Sequence, residues 1–158
     1  MLARRSLLKI VFFLAICGST ARAQEKTPTR DDLQKVYVDC LKKEGFSPQI
    51  NERGAIEFKY EGGMYLLAFD EKDPTFLVVM YPNFWRLDSE AERQKALAAA
   101  NAASSDAKVS KVLVGDKAVF ATYEMRLKDP ADYAVFYKRS LSAIQYAVRE
   151  FATEMKKK

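Results

Sequence analysis

Ala55-Ile56-Glu57-Phe58-Lys59-Tyr60-Glu61-Gly62-Gly63-Met64-Tyr65-Leu66-Leu67-Ala68-Phe69 decides the fold. Through Glu61 the stretch alternates apolar with charged residues, so an extended chain here has one dry face and one wet face, as a half-buried strand does. Gly62-Gly63 is a two-residue hairpin signal, because glycine reaches the positive φ that tight hairpin turns require. Residues 64–69 should therefore return antiparallel. The break at Asp70-Glu71-Lys72-Asp73-Pro74 leads into a third strand over 75–81. The second and third strands do not alternate: Met64-Tyr65-Leu66-Leu67-Ala68-Phe69 and Phe76-Leu77-Val78-Val79-Met80 are apolar on both faces. Contiguous bare apolar surface invites association. A cover is expected over the second face, whether a helix of the same chain, a second subunit or a bound partner, with the internal helix the most economical.

Upstream, Leu33, Val36, Tyr37, Cys40 and Leu41 recur at helical spacing and Gly45 ends the run, which makes one stripe of an amphipathic helix. Cys40 lies inside that stripe and reads as a buried structural thiol, since free cysteine commonly behaves as a small hydrophobe. Residues 24–30 lack apolar periodicity and read as a flexible tail. Pro48 and Asn51-Glu52-Arg53-Gly54 mark an extended stretch and a turn, with room for a short extra strand near Gln49.

Downstream, Pro82-Asn83-Phe84-Trp85-Arg86-Leu87 reads as a connection to a second helix. Ser89-Glu90-Ala91-Glu92 there has capping-box spacing, and Ala96, Ala98, Ala99, Ala100, Ala102 and Ala103 permit close approach of backbones. A second hairpin follows over Gly115-Asp116, joining 108–114 to 117–126. Asp129-Pro130 opens a last helix whose apolar stripe is Tyr133, Phe136, Tyr137, Leu141, Ile144, Val148, Phe151 and Met155. The order is helix, three-strand meander, helix, hairpin, helix. That is an α+β fold with a mainly antiparallel sheet, a single domain over 31–155 followed by a basic tail at 156–158.

The 158 residues carry 26 Lys+Arg against 21 Asp+Glu and no histidine. Lacking histidine, the chain has no Ser-His-Asp or Cys-His nucleophile, no His-ligated zinc and no histidine pH switch. Four of the bases, Arg4, Arg5, Lys9 and Arg22, lie in residues 1–23 with no acid beside them, leaving 22 bases against 21 acids in the remainder. The basic excess thus sits in one segment, and the electrostatic case for a nucleic-acid partner falls away. That segment runs from Arg4-Arg5 through Ile10-Val11-Phe12-Phe13-Leu14-Ala15-Ile16 to Ala21-Arg22-Ala23, which has a signal peptidase's small-x-small form. Export with cleavage after Ala23 is expected, to the periplasm or medium.

The apolar run falls short of the roughly 20 residues that span a bilayer, so no stable membrane span is expected after cleavage. Arg4-Arg5-Ser6-Leu7-Leu8-Lys9 resembles a twin-arginine signal, though paired arginines also open ordinary leaders and the general secretory route is favoured. Ile16 before Cys17 argues against a lipoprotein box. Cys40 alone remains after cleavage and cannot form an internal disulfide.

Chemistry-bearing patterns are sparse. Ser105-Asp106-Ala107-Lys108 has serine-x-x-lysine spacing but falls where a helix gives way to a strand, without the companion elements of penicillin-interacting enzymes. Asp70, Glu71 and Asp73 are interrupted by Lys72 and lack an EF-hand pattern. No P-loop, dinucleotide fingerprint or CxxC pair is present. No enzymatic activity, cofactor or metal is expected. Tyr81, Phe84 and Trp85 are either interface anchors on a connection or a plug beneath the second helix. With Met64 and Leu66 on the doubly apolar strand they form the candidate partner-binding set.

Leu41-Lys42-Lys43-Glu44-Gly45-Phe46, the meander through Gly62-Gly63, Leu97-Ala98-Ala99-Ala100-Asn101 before the second hairpin, and the long last helix together resemble the YbjN-type family of candidate bacterial sensory-transduction regulators, over residues 31–155. The resemblance implies a fold similar to type III secretion chaperones and a small, non-enzymatic, protein-binding, often dimeric module. It supplies no catalytic residue. The export signal and near-zero mature charge depart from cytosolic, often acidic secretion chaperones. The expectation is an exported, chaperone-like or regulatory module with an unidentified protein partner and possible homodimerisation; the alternative is a carrier of an apolar small molecule or lipid between sheet and helix.

Overall fold

The computed structural model describes residues 27–157. The expected leader over 1–23, its cleavage site after Ala23, Cys17 and Lys158 lie outside the described residues. Helix α1 spans Arg30–Lys43, and Thr29 caps it reciprocally with Asp32. Thr29 and Arg30 therefore belong to the helix and its cap, not to the tail expected over 24–30. Strands β1 (Gln49–Ile50), β2 (Ile56–Tyr60), β3 (Gly63–Asp70) and β4 (Asp73–Arg86) follow. Then come α2 (Glu90–Asp106), β5 (Ser110–Val114), β6 (Ala118–Arg126), a 3-10 turn at Pro130–Asp132 and α3 (Tyr133–Lys156). The order is the α+β arrangement read from the sequence, with the short strand near Gln49 present.

The sheet runs β1-β2-β3-β4-β6-β5, antiparallel throughout. One cross-strand row, Ile56, Leu67, Val79, Tyr123 and Ser110, is buried at every position. It forms the core with Leu33, Tyr37 and Leu41 of α1, Ala96, Ala99, Ala100 and Ala103 of α2, and Tyr137, Leu141, Ile144 and Phe151 of α3. The buried alanines of α2 allow it to lie close to both α3 and β5. Ser104 of α2 accepts the outward Val112 N–H at 2.9 Å, which satisfies part of the outer sheet edge, where unpaired amides would template association.

Five local expectations are corrected. The first hairpin turns on Glu61-Gly62, with φ of 46° and 80°, and Gly63 is already paired with Tyr60. Gly63 is glycine for another reason: a Cβ there would sit 2.8 Å from the Tyr81 ring. The span 82–86 is strand rather than connection. β4 is irregular between Tyr81 and Trp85, with Asn83 at φ 51°, then resumes its pairing at Trp85↔Val119 and Arg86↔Ala118. Such a bulge absorbs extra residues and restores the ladder.

The expected capping box on α2 is half formed: Ser89 accepts the Glu92 N–H at 3.1 Å, but the Glu92 carboxylate reaches one residue further, to the Asp88 N–H at 2.9 Å. Phe136 falls outside the buried stripe of α3, where Ser140 and Ala147 are buried instead. At the C-terminus, Lys156 ends α3 and Lys157 is its cap. No described helix is long and apolar enough to cross a membrane.

Candidate functional site

The five residues singled out from the sequence separate onto two faces of the sheet. Tyr81 stacks on buried Tyr65, ring centroids 4.7 Å apart, and meets Phe84 at 5.8 Å. Phe84 and Trp85 both place their rings edge-on to Phe151 of α3, at 5.3 and 5.6 Å. The Trp85 indole N–H donates to Glu92 at 3.0 Å. The Glu92 carboxyl is held below its ordinary range, first by the Asp88 amide and then by that indole. These three aromatics are half-buried and packed against the core. They form the plug beneath the helices.

Met64 and Leu66 point to the other face. Strand pairing places Glu57, Leu66, Met80, Thr122 and Lys111 in one row across that face, with Ala68, Val78 and Glu124 in the next. Met64 lies opposite Lys59, and Leu113 opposite Phe120. All three helices pack on the side of Leu67 and Val79, so among the described residues no helix covers this second face. The internal cover expected from the doubly apolar strands is absent among the described residues. The reason is topological: α2 and α3 bury their small and apolar stripes against each other and against the same sheet face.

The open face is apolar at its centre and charged at its edges. Met64 is 41% exposed and Leu66, Val78, Met80 and Phe120 are partly exposed. At the rim Lys111 pairs with Glu124 at 2.6 Å and Arg126 with Asp73 at 2.7 Å. The Asp73 carboxyl is held below its ordinary value by the Thr75 hydroxyl first and Arg126 second. Glu57 accepts the Asn51 side-chain amide at 2.8 Å. Thr122, 2% exposed in mid-row, has no partner for its hydroxyl. An apolar centre framed by charge is the anatomy of a docking surface. Phe120 went unremarked in the sequence because a strand face shows itself only once the register is known.

The remaining motifs resolve as structural. Ser105 lies inside α2 and donates to the Asn101 carbonyl at 2.8 Å. Asp70 accepts the Lys72 amide, and Glu71 pairs with Arg30 at 3.4 Å. Among the described residues no group of three His, Cys, Asp or Glu could hold a metal ion. Cys40 is 8% exposed, and burial, followed by Glu44, pushes its thiol pKa up. A thiol so placed is poorly ionised and inert. Burial likewise pushes the Tyr37 hydroxyl to about 12, with Asp129 adding to the shift.

An antiparallel six-stranded sheet with three helices stacked on one face, in this connection order, is an α+β fold of the YbjN type. The fold likeness is to the crystal structure of YbjN from E. coli, a candidate transcription regulator, at TM-score 0.59 and 13% identity, covering 82% of this chain and 96% of that one. An uncharacterized protein from Methanothermobacter thermautotrophicus aligns at TM-score 0.49 and 12% identity, over 78% of this chain and 94% of its own. No protein-family model matches the sequence. No curated protein matches it by sequence.

Proposed function

We propose that the protein is a non-enzymatic protein-binding module that docks a partner on the open face of its sheet and works outside the cytoplasm after export. The observation that carries the proposal is the in-register apolar centre formed by Leu66, Met80, Val78 and Phe120, uncovered by any described helix. Burial of apolar surface is worth about 25 cal/mol per Å², so a partner that covers these side chains gains free energy without disturbing the core beneath. The ion pairs at the rim supply orientation more than affinity. Export is supported by the basic, apolar, small-x-small order of residues 1–23.

Val78→Lys tests the docking surface. Residue 78 is partly exposed and faces away from the core, so the variant is expected to fold, with the lysine stem lying along its apolar neighbours. The full chain and the variant would each be recovered from the native cell envelope under mild cross-linking, and bound proteins identified by mass spectrometry. A protein retained by the natural chain and lost by the folded variant supports the proposal, and a second copy of the chain counts as such a partner. Equal recovery with both chains, or none with either, overturns it.

A further inference from the structure

We propose that a cleft at the β5 end of the molecule, between sheet and helices, binds a small organic anion: a carboxylate carried on a compact apolar body. The cleft has a volume of about 660 Å³ and is walled by the exit of α2, the start of β5, Tyr123 of β6 and one face of α3. That volume is in the range of small-molecule sites, about 300–1,000 Å³. It lies on the helix side of the sheet, opposite the open face, so the two sites can fail separately.

Three features select the ligand class. The first is charge: Arg139 and Lys108 both line the cleft, and no ion pair or hydrogen bond holds either one among the described residues. The other charged lining group is Asp106, whose carboxylate accepts the hydroxyl of Tyr146. The lining thus carries two positive charges against one negative, and the negative one already has a donor in Tyr146. An arginine fork matches a carboxylate with two parallel hydrogen bonds.

The second feature is the lining between the charges. Ala107, Val109, Ala143 and the rings of Tyr123 and Tyr146 give an apolar surface. Arg139, Ala143 and Tyr146 fall on one stripe of α3, spaced by four and three residues, so the guanidinium and the apolar contacts are set by a single rigid element. The third feature is Ser110. It is 3% exposed, lies opposite Tyr123 in the sheet, lines the cleft, and its hydroxyl has no partner. A buried hydroxyl without a partner is a cost that a ligand acceptor would relieve. The inference gives a specific chemistry to the expectation of an apolar carrier, and Lys108 finds a role that its serine-x-x-lysine spacing did not supply.

The test uses the full chain, with 1-naphthoate as the anionic probe, 1-naphthamide as its neutral counterpart and 1-naphthyl phosphate as the alternative headgroup, followed through amide NMR shifts. Saturable shifts at residues 107–110 and 139–146 are expected with naphthoate, and binding at least about tenfold weaker with the amide, the scale of one charge-assisted hydrogen bond. Arg139→Gln, at an exposed and unpaired side chain, should retain the fold and lose about tenfold in naphthoate affinity. Ser110→Ala should fold normally and bind more weakly. Equal affinity for acid and amide, indifference to Arg139→Gln, or no saturable shift with naphthoate overturns the proposal. Tighter binding of the phosphate than of naphthoate overturns the carboxylate assignment.

Discussion

Trp85 is held at three points: its backbone pairs with Val119, its ring meets Phe151, and its indole N–H donates to Glu92. Trp85→Ala would remove a half-buried ring and leave Glu92 with one partner fewer. A loss of about 2–3 kcal/mol is expected, below the 3–5 typical of fully buried aromatics, measured by denaturant unfolding followed by circular dichroism. An interface anchor would leave stability unchanged. Glu92 gives the same contact a pH signature. Because its folded-state pKa is lowered, it stabilises the fold above its unfolded pKa, and that contribution fades as pH falls through the folded value. Trp85 is the only tryptophan, so its emission should shift on acidification below the ordinary glutamate value of about 4.5, and Glu92→Gln should abolish that step. The sequence offered two readings of Trp85. The plug reading became visible only with Phe151, 66 positions away in the chain, packed against the ring.

At the scale of elements, periodicity located α1, α3 and β2, because each buries one stripe or face and leaves the other wet, whereas cap spacing and alanine content located α2, and turn signals between apolar runs located the rest of the meander and the second hairpin. Turn signals also misled at β4. Pro82 and Asn83 carry turn chemistry, and a bulge uses the same residues as a loop, so local preference could not show that the ladder resumes at Trp85. Glycine pairs carry a similar ambiguity. Gly62 serves the turn by its φ of 80°, whereas Gly63 serves the close approach of Tyr81. Gly63→Ala should therefore cost about 1–3 kcal/mol by forcing Tyr81 from its stack on Tyr65. Gly62→Ala, with open space around it but an unfavourable φ, should cost about 1 kcal/mol. Thermal unfolding of the two variants separates the causes: only Gly63→Ala should also perturb the near-ultraviolet signal of the tyrosine stack.

For the molecule as a whole, the decisive feature is that the three described helices share one side of a sheet whose central strands are apolar on both. The second apolar face was legible in Met64-Tyr65-Leu66-Leu67-Ala68-Phe69 and Phe76-Leu77-Val78-Val79-Met80, and so was the need to cover it. What could not be read was which side the helices take, because α2 and α3 choose by packing against each other as well as against the sheet. The β5 cleft was illegible for the same reason: Lys108, Ser110 and Arg139 come together only when α3 is laid across the sheet edge.

The most direct measurement of docking places a photo-cross-linking residue at Phe120, in the open face, and as a control at Val135, which is 76% exposed on α3. Irradiation in the native cell should give a discrete protein adduct from position 120, another molecule of this chain included, and none from position 135. No adduct from position 120, or the same adducts from both positions, would contradict a docking role for the open sheet face.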